Sequence, residues 1–294
     1  MIKPVNFFFN KETSATNSFQ NSSKNSRIKL RKEVQIEFDR SVEVLKKEGL
    51  LIDVIDPPIM ENIPDQVFPN NWFQVLENGS LILFPMQCFN RRIERIELIV
   101  DHIKSKYNIS SIIDLSFQER NNLFLEGTGS MVIDHINKVV YAVRSKRTSE
   151  KLLVDYCNLF EYDFVFFNAK DLEGNPIYHT NIILSIGPGF AVVCSALISD
   201  EDRERVLKSL TFQGFEIIEI EKVQVYQFCA NILSVLSSDN ETLVVMSDRA
   251  KNGFREEQLK KISSYGRVVS VSVDTIESIG GGGIRCMMVE IFSI

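Results

Sequence analysis

One pattern limits what this chain can fold into more than any other. Two apolar runs joined by a turn, a helical pattern and a third apolar run recur at a period of about 50 residues. The first copy has runs at 72–76 and 81–84 around Glu77-Asn78-Gly79, a helix near 92–104 and a last run at 112–115. In the second, 130–133 and 139–143 flank a turn at 134–138; its helix carries Leu152, Leu153, Tyr156, Leu159 and Phe160, and 164–167 follows. The third has 182–186 and 191–194 around Gly187-Pro188-Gly189, a helix opening at a Ser199-x-x-Asp202 capping pattern, and 215–220. The fourth has 231–236 and 242–246 around Ser238-Asp239-Asn240, a helix at 256–263 and a run at 268–273.

Each copy reads as a ββαβ unit, a hairpin whose second strand is joined through a helix to a third. A fifth unit is split between the chain ends. The run 286–292 supplies a C-terminal strand, and a strand at 5–9, a helix at 30–48 and a buried strand at 51–55 supply the rest. That helix repeats Val34, Phe38, Val42 and Leu45 at helical spacing, with Gly49 placed to end it. Pairing of the two ends closes five units into a ring and removes edges that open sheets would leave exposed. A doubly wound sheet is the competitor, but it alternates single strands, not hairpins, with helices.

Composition narrows the partners. A 44% hydrophobic share over 294 residues is ample for a core, and the expectation is one domain over 1–294. With a net charge of -6 and no dense basic block, neither nucleic acid nor an anionic membrane is expected as a partner. The five cysteines, at 88, 157, 194, 229 and 286, are odd in number and contain no CxxC pair, which argues against a disulfide framework and a structural zinc site. Residues 1–6 carry no secretory apolar region and no stretch approaches a membrane span, so a cytoplasmic protein is expected. Oligomeric state is left open, a homodimer included.

The register of the repeats locates chemistry. Residues just before each first strand fall at equivalent places near the ring axis: Phe68-Pro69-Asn70-Asn71, Leu125-Glu126-Gly127, Tyr178-His179-Thr180-Asn181, Phe228-Cys229-Ala230-Asn231 and Gly282-Gly283-Ile284-Arg285-Cys286. A carboxylate (Glu126), an imidazole (His179) and a thiol (Cys286) therefore meet at one end, as orienting acid, base and nucleophile. Cys286 could instead be a packing residue, but packing alone does not require Gly280-Gly281-Gly282-Gly283 beside it. A phosphate cradle is a poor fit, because no lysine follows the glycines and a strand, not a helix, is expected next. His102, on a charged helix, and His135, in a turn, read as solvated.

Leu125-Glu126-Gly127, the isolated His179 and the glycine-rich Cys286 resemble the guanidine-modifying (amidinotransferase) superfamily, over nearly the whole chain. The resemblance implies a five-bladed α/β-propeller (pentein), a cysteine attacking a guanidino-type carbon, histidine as acid and base, and no metal or organic cofactor. Phe68-Pro69-Asn70-Asn71-Trp72-Phe73, Pro4-Val5-Asn6-Phe7 and Glu12-Thr13-Ser14-Ala15-Thr16-Asn17 look most like citrulline-utilising hydrolases within that group. Deiminases have Arg-Asp where this chain has Asn70-Asn71, and His-x-Asp where it has His179-Thr180-Asn181. Losing both aspartates removes the partners of a cationic guanidinium, whereas amides suit a neutral ureido group. The expected reaction is therefore citrulline to ornithine, ammonia and carbon dioxide. Arg147, in Ser145-Lys146-Arg147-Thr148, matches a motif that binds the substrate carboxylate in relatives; Arg92 is the weaker candidate. The polar loop 10–25 is the expected lid. The alternatives are a hydrolase of arginine or dimethylarginine and a catalytically silent propeller that works by binding.

Overall fold

Our computed structural model describes residues 1–23 and 25–292, so Lys24 of the polar loop lies outside the described residues. The four complete repeats fold alike. Their strands are β1 (Phe73–Val75), β2 (Ser80–Leu83) and β3 (Ser111–Asp114), then β4 (Met131–Asp134), β5 (Val139–Val143) and β6 (Asp163–Phe167). The third unit has β7 (Leu184–Gly187), β8 (Phe190–Val193) and β9 (Glu216–Glu219), and the fourth β10 (Leu233–Leu236), β11 (Thr242–Ser247) and β12 (Arg267–Val271). Every sheet has the same order, its first pair antiparallel and its second parallel. The parallel pair needs a crossover, and the helices Glu97–Lys106, Glu150–Phe160, Asp200–Phe212 and Glu256–Tyr265 provide it. The central strands are buried on both faces, β2, β5 and β8 at every residue, which is why they read as continuous apolar runs.

Helix α1 (Arg27–Lys47) starts at Ser26, whose side chain accepts from the Lys29 N–H, and buries Leu30, Val34, Phe38, Val42 and Leu45. Its apolar stripe packs with Leu243, Val245, Val269 and Val271 of the fourth sheet and with Ile284, Met287 and Met288.

The split unit differs from expectation. No strand forms over 5–9, 51–55 or 286–292; a single parallel bridge, Ile2 to Ile55, joins that region. Leu51 is 87% exposed, so the 51–55 run is not buried as expected. Residues Ile284–Met287 instead make one 3-10 turn. The loop at 10–25 is not merely a surface loop either, since Asn10, Thr13 and Asn17 are buried. His102 and His135 are also not simply solvated: His102 lies 2.8 Å from Asp53 and His135 2.9 Å from the Tyr162 hydroxyl.

What positions the site is a set of five junctions. Short helical turns at Pro69–Asn71, Gly127–Ser130, Thr180–Ile182 and Ile284–Met287 precede or stand in place of first strands. The first packs on the second, the second on the third, and the fourth returns to the first. Asn231 joins the remaining two, donating to the Asn181 carbonyl at 3.3 Å and to Cys286 Sγ at 3.4 Å. The five junctions thus contact one another in a closed cycle. Phe38, 1% exposed on α1, anchors the first helix to this assembly; Phe38→Ala should cost about 3–5 kcal/mol in urea unfolding. A loss under about 1 kcal/mol would show that α1 contributes little to the shared core.

Candidate active site

Cys286, His179, Glu126, Asn70, Asn71, Asn181 and Arg147, expected at the site, are all buried. Cys286 Sγ accepts from Asn231 Nδ2 at 3.4 Å and from Asn181 Nδ2 at 3.6 Å. Burial pushes its thiol up from the ordinary value, opposed by the Asn231 hydrogen bond and the Arg285 charge, so the thiol is neutral at neutral pH. His179 Nε2 lies 2.8 Å from Glu126 Oε2. Burial lowers the basicity of this imidazole despite the carboxylate beside it, which leaves it neutral at neutral pH. Burial also disfavours the Glu126 anion, but Arg147 and the His179 hydrogen bond outweigh it and hold the carboxyl at about 2. Glu126 Oε1 accepts a further bond from the Gln87 N–H at 3.0 Å.

Gly129 shows how close the cycle is drawn: a Cβ there would lie 2.4 Å from Asn71 Nδ2 and 2.7 Å from His179 Nδ1. In the glycine run, Gly281 has φ of +66°, and a Cβ on Gly283 would meet Asn231 Oδ1 at 2.7 Å. The run therefore lets the chain turn sharply and brings Cys286 against Asn231.

Arg147 is brought to Glu126, with Nη1 3.4 Å from Oε2, and stands over the Tyr178 ring at 4.6 Å. It also donates to the Thr13 carbonyl and Thr16 Oγ1, each at 3.0 Å, tying the 10–20 segment down. Asn17 and Gln20 fasten the same segment to the Gly280 carbonyl, at 3.4 and 3.0 Å. Arg92 does not reach the site; it donates to the Met86 and Gln87 carbonyls and braces that loop.

Three contributors escaped the sequence reading. Arg91, wholly buried, pairs with Glu94 at 2.8 Å and donates to Asn71 Oδ1 at 3.0 Å. Asp65 accepts from Asn10 Nδ2 at 2.7 Å and Thr13 Oγ1 at 3.2 Å, and burial pushes its carboxyl up. Asn231 occupied a register position, but an amide alone advertises no chemistry. Among the described residues, Asn70 Oδ1, Asn71 Nδ2, Asn181 Oδ1 and Asp65 Oδ1 are buried without a hydrogen-bond partner. Such atoms are what a bound ligand would satisfy. No group of three or more His, Cys, Asp or Glu among the described residues is placed to hold a metal, and no helix among them is long and apolar enough to cross a membrane.

Solved structures share this fold. The cyanobacterial arginine dihydrolase ArgZ, of the ornithine-ammonia cycle, matches with a TM-score of 0.76 at 15% identity, over 100% of this chain and 40% of its own. AgrE bound to L-arginine matches with a TM-score of 0.77 at 16% identity, again over 100% and 40%. A dimethylarginine dimethylaminohydrolase carrying an S-methyl-L-thiocitrulline adduct matches at 0.64 and 18% identity, over 92% and 93%. This chain thus spans about 40% of full-length ArgZ and AgrE, and 97% of the N-terminal domain of ArgZ solved with substrate. Fold and site together define a pentein-type protein of the guanidine-modifying superfamily. No curated protein matches the sequence. The chain belongs to the N,N dimethylarginine dimethylhydrolase family, whose eukaryotic form matches residues 3–293, and so to a family of non-peptide C–N hydrolases.

The ionised Glu126 gives a pH signature. Its pKa is about 2 when folded against an ordinary 4.5, so its contribution to stability is complete above about 4.5 and fades as pH falls toward 2. Glu126→Gln should lower unfolding free energy at neutral pH by about 3 kcal/mol, with the gap to the parent narrowing in acid. A gap of constant size down to the acid end would show that Glu126 is not held ionised by its neighbours.

Proposed function

We propose that the protein hydrolyses a C–N bond at the terminal guanidino-type carbon of an arginine-derived amino acid, through a covalent intermediate on Cys286. The observation that carries this is the buried thiol set in one cycle of turns with a neutral imidazole that is itself bonded to an ionised carboxylate. His179 takes the thiol proton, Cys286 Sγ bonds to the terminal carbon, and the imidazolium is stabilised by Glu126 at 2.8 Å. The C–N bond breaks as His179 passes that proton to the leaving amine. Water then attacks the Sγ-bound carbon as His179 takes its proton, the C–Sγ bond breaks, and the proton returns from His179 to Sγ to regenerate the thiol. Backbone N–H groups of the glycine run serve the developing charge. Arg147 binds the substrate carboxylate, and the 10–20 segment it holds closes over the bound substrate.

The family and the neighbours are named for arginine and dimethylarginine, which favours a guanidino head and gives the expected citrulline substrate no support of its own. One observation favours a ureido head as the second reading. Arg91 occupies Asn71 Oδ1 and leaves the buried Nδ2 donor without a partner. A guanidinium has no acceptor for that donor, whereas a ureido oxygen has. Buried Arg91 and Arg147 also make a third cation costly, since burial pushes Asp65 up and Glu94 to about 8.

We infer that residues 1–294 form one five-bladed α/β-propeller, with the chain ends supplying the fifth blade; the closed cycle of five junctions supports it.

Incubation with L-arginine, dimethylarginine and L-citrulline separately, followed by product detection, tests the activity. Turnover of the first or second supports the guanidino head, turnover of citrulline alone the ureido head, and turnover of none contradicts both. If the head is ureido, Asn71→Asp and Asn181→Asp weaken citrulline turnover; unchanged rates would mean that neither amide faces the substrate. His179→Ala should lower kcat by about 10²–10⁴. Because burial lowers the His179 pKa, kcat/KM should hold below pH 6.5, the ordinary value, and fall only as the imidazole protonates. An acid limb at or above 6.5 would contradict a neutral buried base.

A further inference from the structure

Tyr178 joins the separate parts of the site. Its ring lies beneath Arg147, 4.6 Å from the guanidinium carbon, and its centroid is 4.6 Å from that of His179. Phe19 of the 10–20 segment packs against it edge-on, with centroids 6.4 Å apart. Its hydroxyl donates to the Gly281 carbonyl at 2.9 Å, inside the protein. Burial holds the phenol well above its usual pKa, so the hydroxyl keeps the proton it donates. Asn17 Nδ2 reaches the same carbonyl more loosely, at 3.4 Å.

That carbonyl and the Gly282 N–H belong to one peptide unit, and in a planar trans unit the two point in opposite directions. Fastening the carbonyl on Tyr178 therefore fixes where the N–H points. The helix Asp274–Gly280 ends just before this unit, and Gly281 at φ of +66° has left it, so no helical bond holds the plane. Gly282 is buried, and its N–H makes no hydrogen bond among the described residues. A buried backbone donor without a partner is rare and costly. Gly282 also stands against the thiol side chain: a Cβ built on it would lie 3.4 Å from Cys286 Cβ.

We propose that Tyr178 is a positioning residue for the nucleophile: its hydroxyl holds the Gly281–Gly282 peptide so that the free Gly282 N–H serves the negative charge developing at Cys286 Sγ. Its effect on turnover rests on the hydrolase reading. The Asn181 and Asn231 amides already donate to the sulfur, and the Gly282 N–H adds to them as the thiol loses its proton to His179. Tyr178 acts on the sulfur only through this peptide, while its ring supports Arg147.

Tyr178→Phe removes the hydroxyl and keeps the ring under Arg147. Loss of a whole donor to developing charge costs about 10²–10³ in kcat. A donor loosened, with Asn17 still on the carbonyl, should cost about tenfold in kcat at unchanged KM for the amino acid. In the free enzyme, iodoacetamide labelling of Cys286 at neutral pH, followed on its own peptide, should slow by a similar factor, because the reagent takes the thiolate. A site that was merely loosened would label faster, not slower. A kcat at the parent value, a loss confined to KM, or labelling at or above the parent rate would overturn the inference. Labelling needs no substrate. If the parent turns over none of the arginine-derived amino acids, the hydrolase reading fails, and labelling alone decides: slower in Tyr178→Phe supports the role of the hydroxyl, equal or faster overturns it.

Discussion

The Glu126 carboxylate is the constraint on which the rest of the site depends. An ionised carboxylate with no exposure to water costs several kcal/mol unless its oxygens are partnered. His179, the Gln87 N–H and Arg147 are those partners. Each belongs to a different part of the chain, so satisfying one charge fixes three segments at once. Arg147 extends the network to Thr13 and Thr16, and with them to the 10–20 segment. The geometry of the candidate site and the anchoring of the 10–20 segment thus share one electrostatic root.

The fold supplies the place for that charge. Four copies of one ββαβ unit bury their central strands and leave a turn before each first strand, and those turns pack on one another. Repetition is what makes distant positions converge: Glu126, His179 and Cys286 are separated by 53 and 107 residues yet occupy equivalent junctions. The thiol differs from the four other cysteines in its partners. Cys286 is held by two amides, whereas Cys157 lies in an apolar cluster with its thiol pushed to about 12 by burial.

The repeats were legible because a hairpin whose second strand is buried on both faces leaves continuous apolar runs with turn residues between them, and the observed strands fall within a residue or two of those runs. The split unit was not. Runs at 5–9, 51–55 and 286–292 have strand-like composition, but hydrophobicity carries no record of whether a partner edge is available, and at Ile284–Met287 the need to turn Cys286 inward replaces extension. Cys286, His179, Glu126 and Arg147 could be located from register and motif. Arg91 and Asp65 could not, since neither sits at a repeat junction or in a motif that marks a buried charge. Only the tertiary structure buries them.

The central claim is a covalent bond between Cys286 and the carbon of an arginine-derived substrate. Rapid acid quench of enzyme turning over L-arginine, dimethylarginine or L-citrulline, followed by intact mass and peptide mapping, tests it most directly. The added mass should equal the substrate less its leaving amine, lie on the peptide containing Cys286 and be absent from Cys286→Ser. Turnover with an unmodified Cys286 at every quench time, or with the mass on another residue, would contradict it.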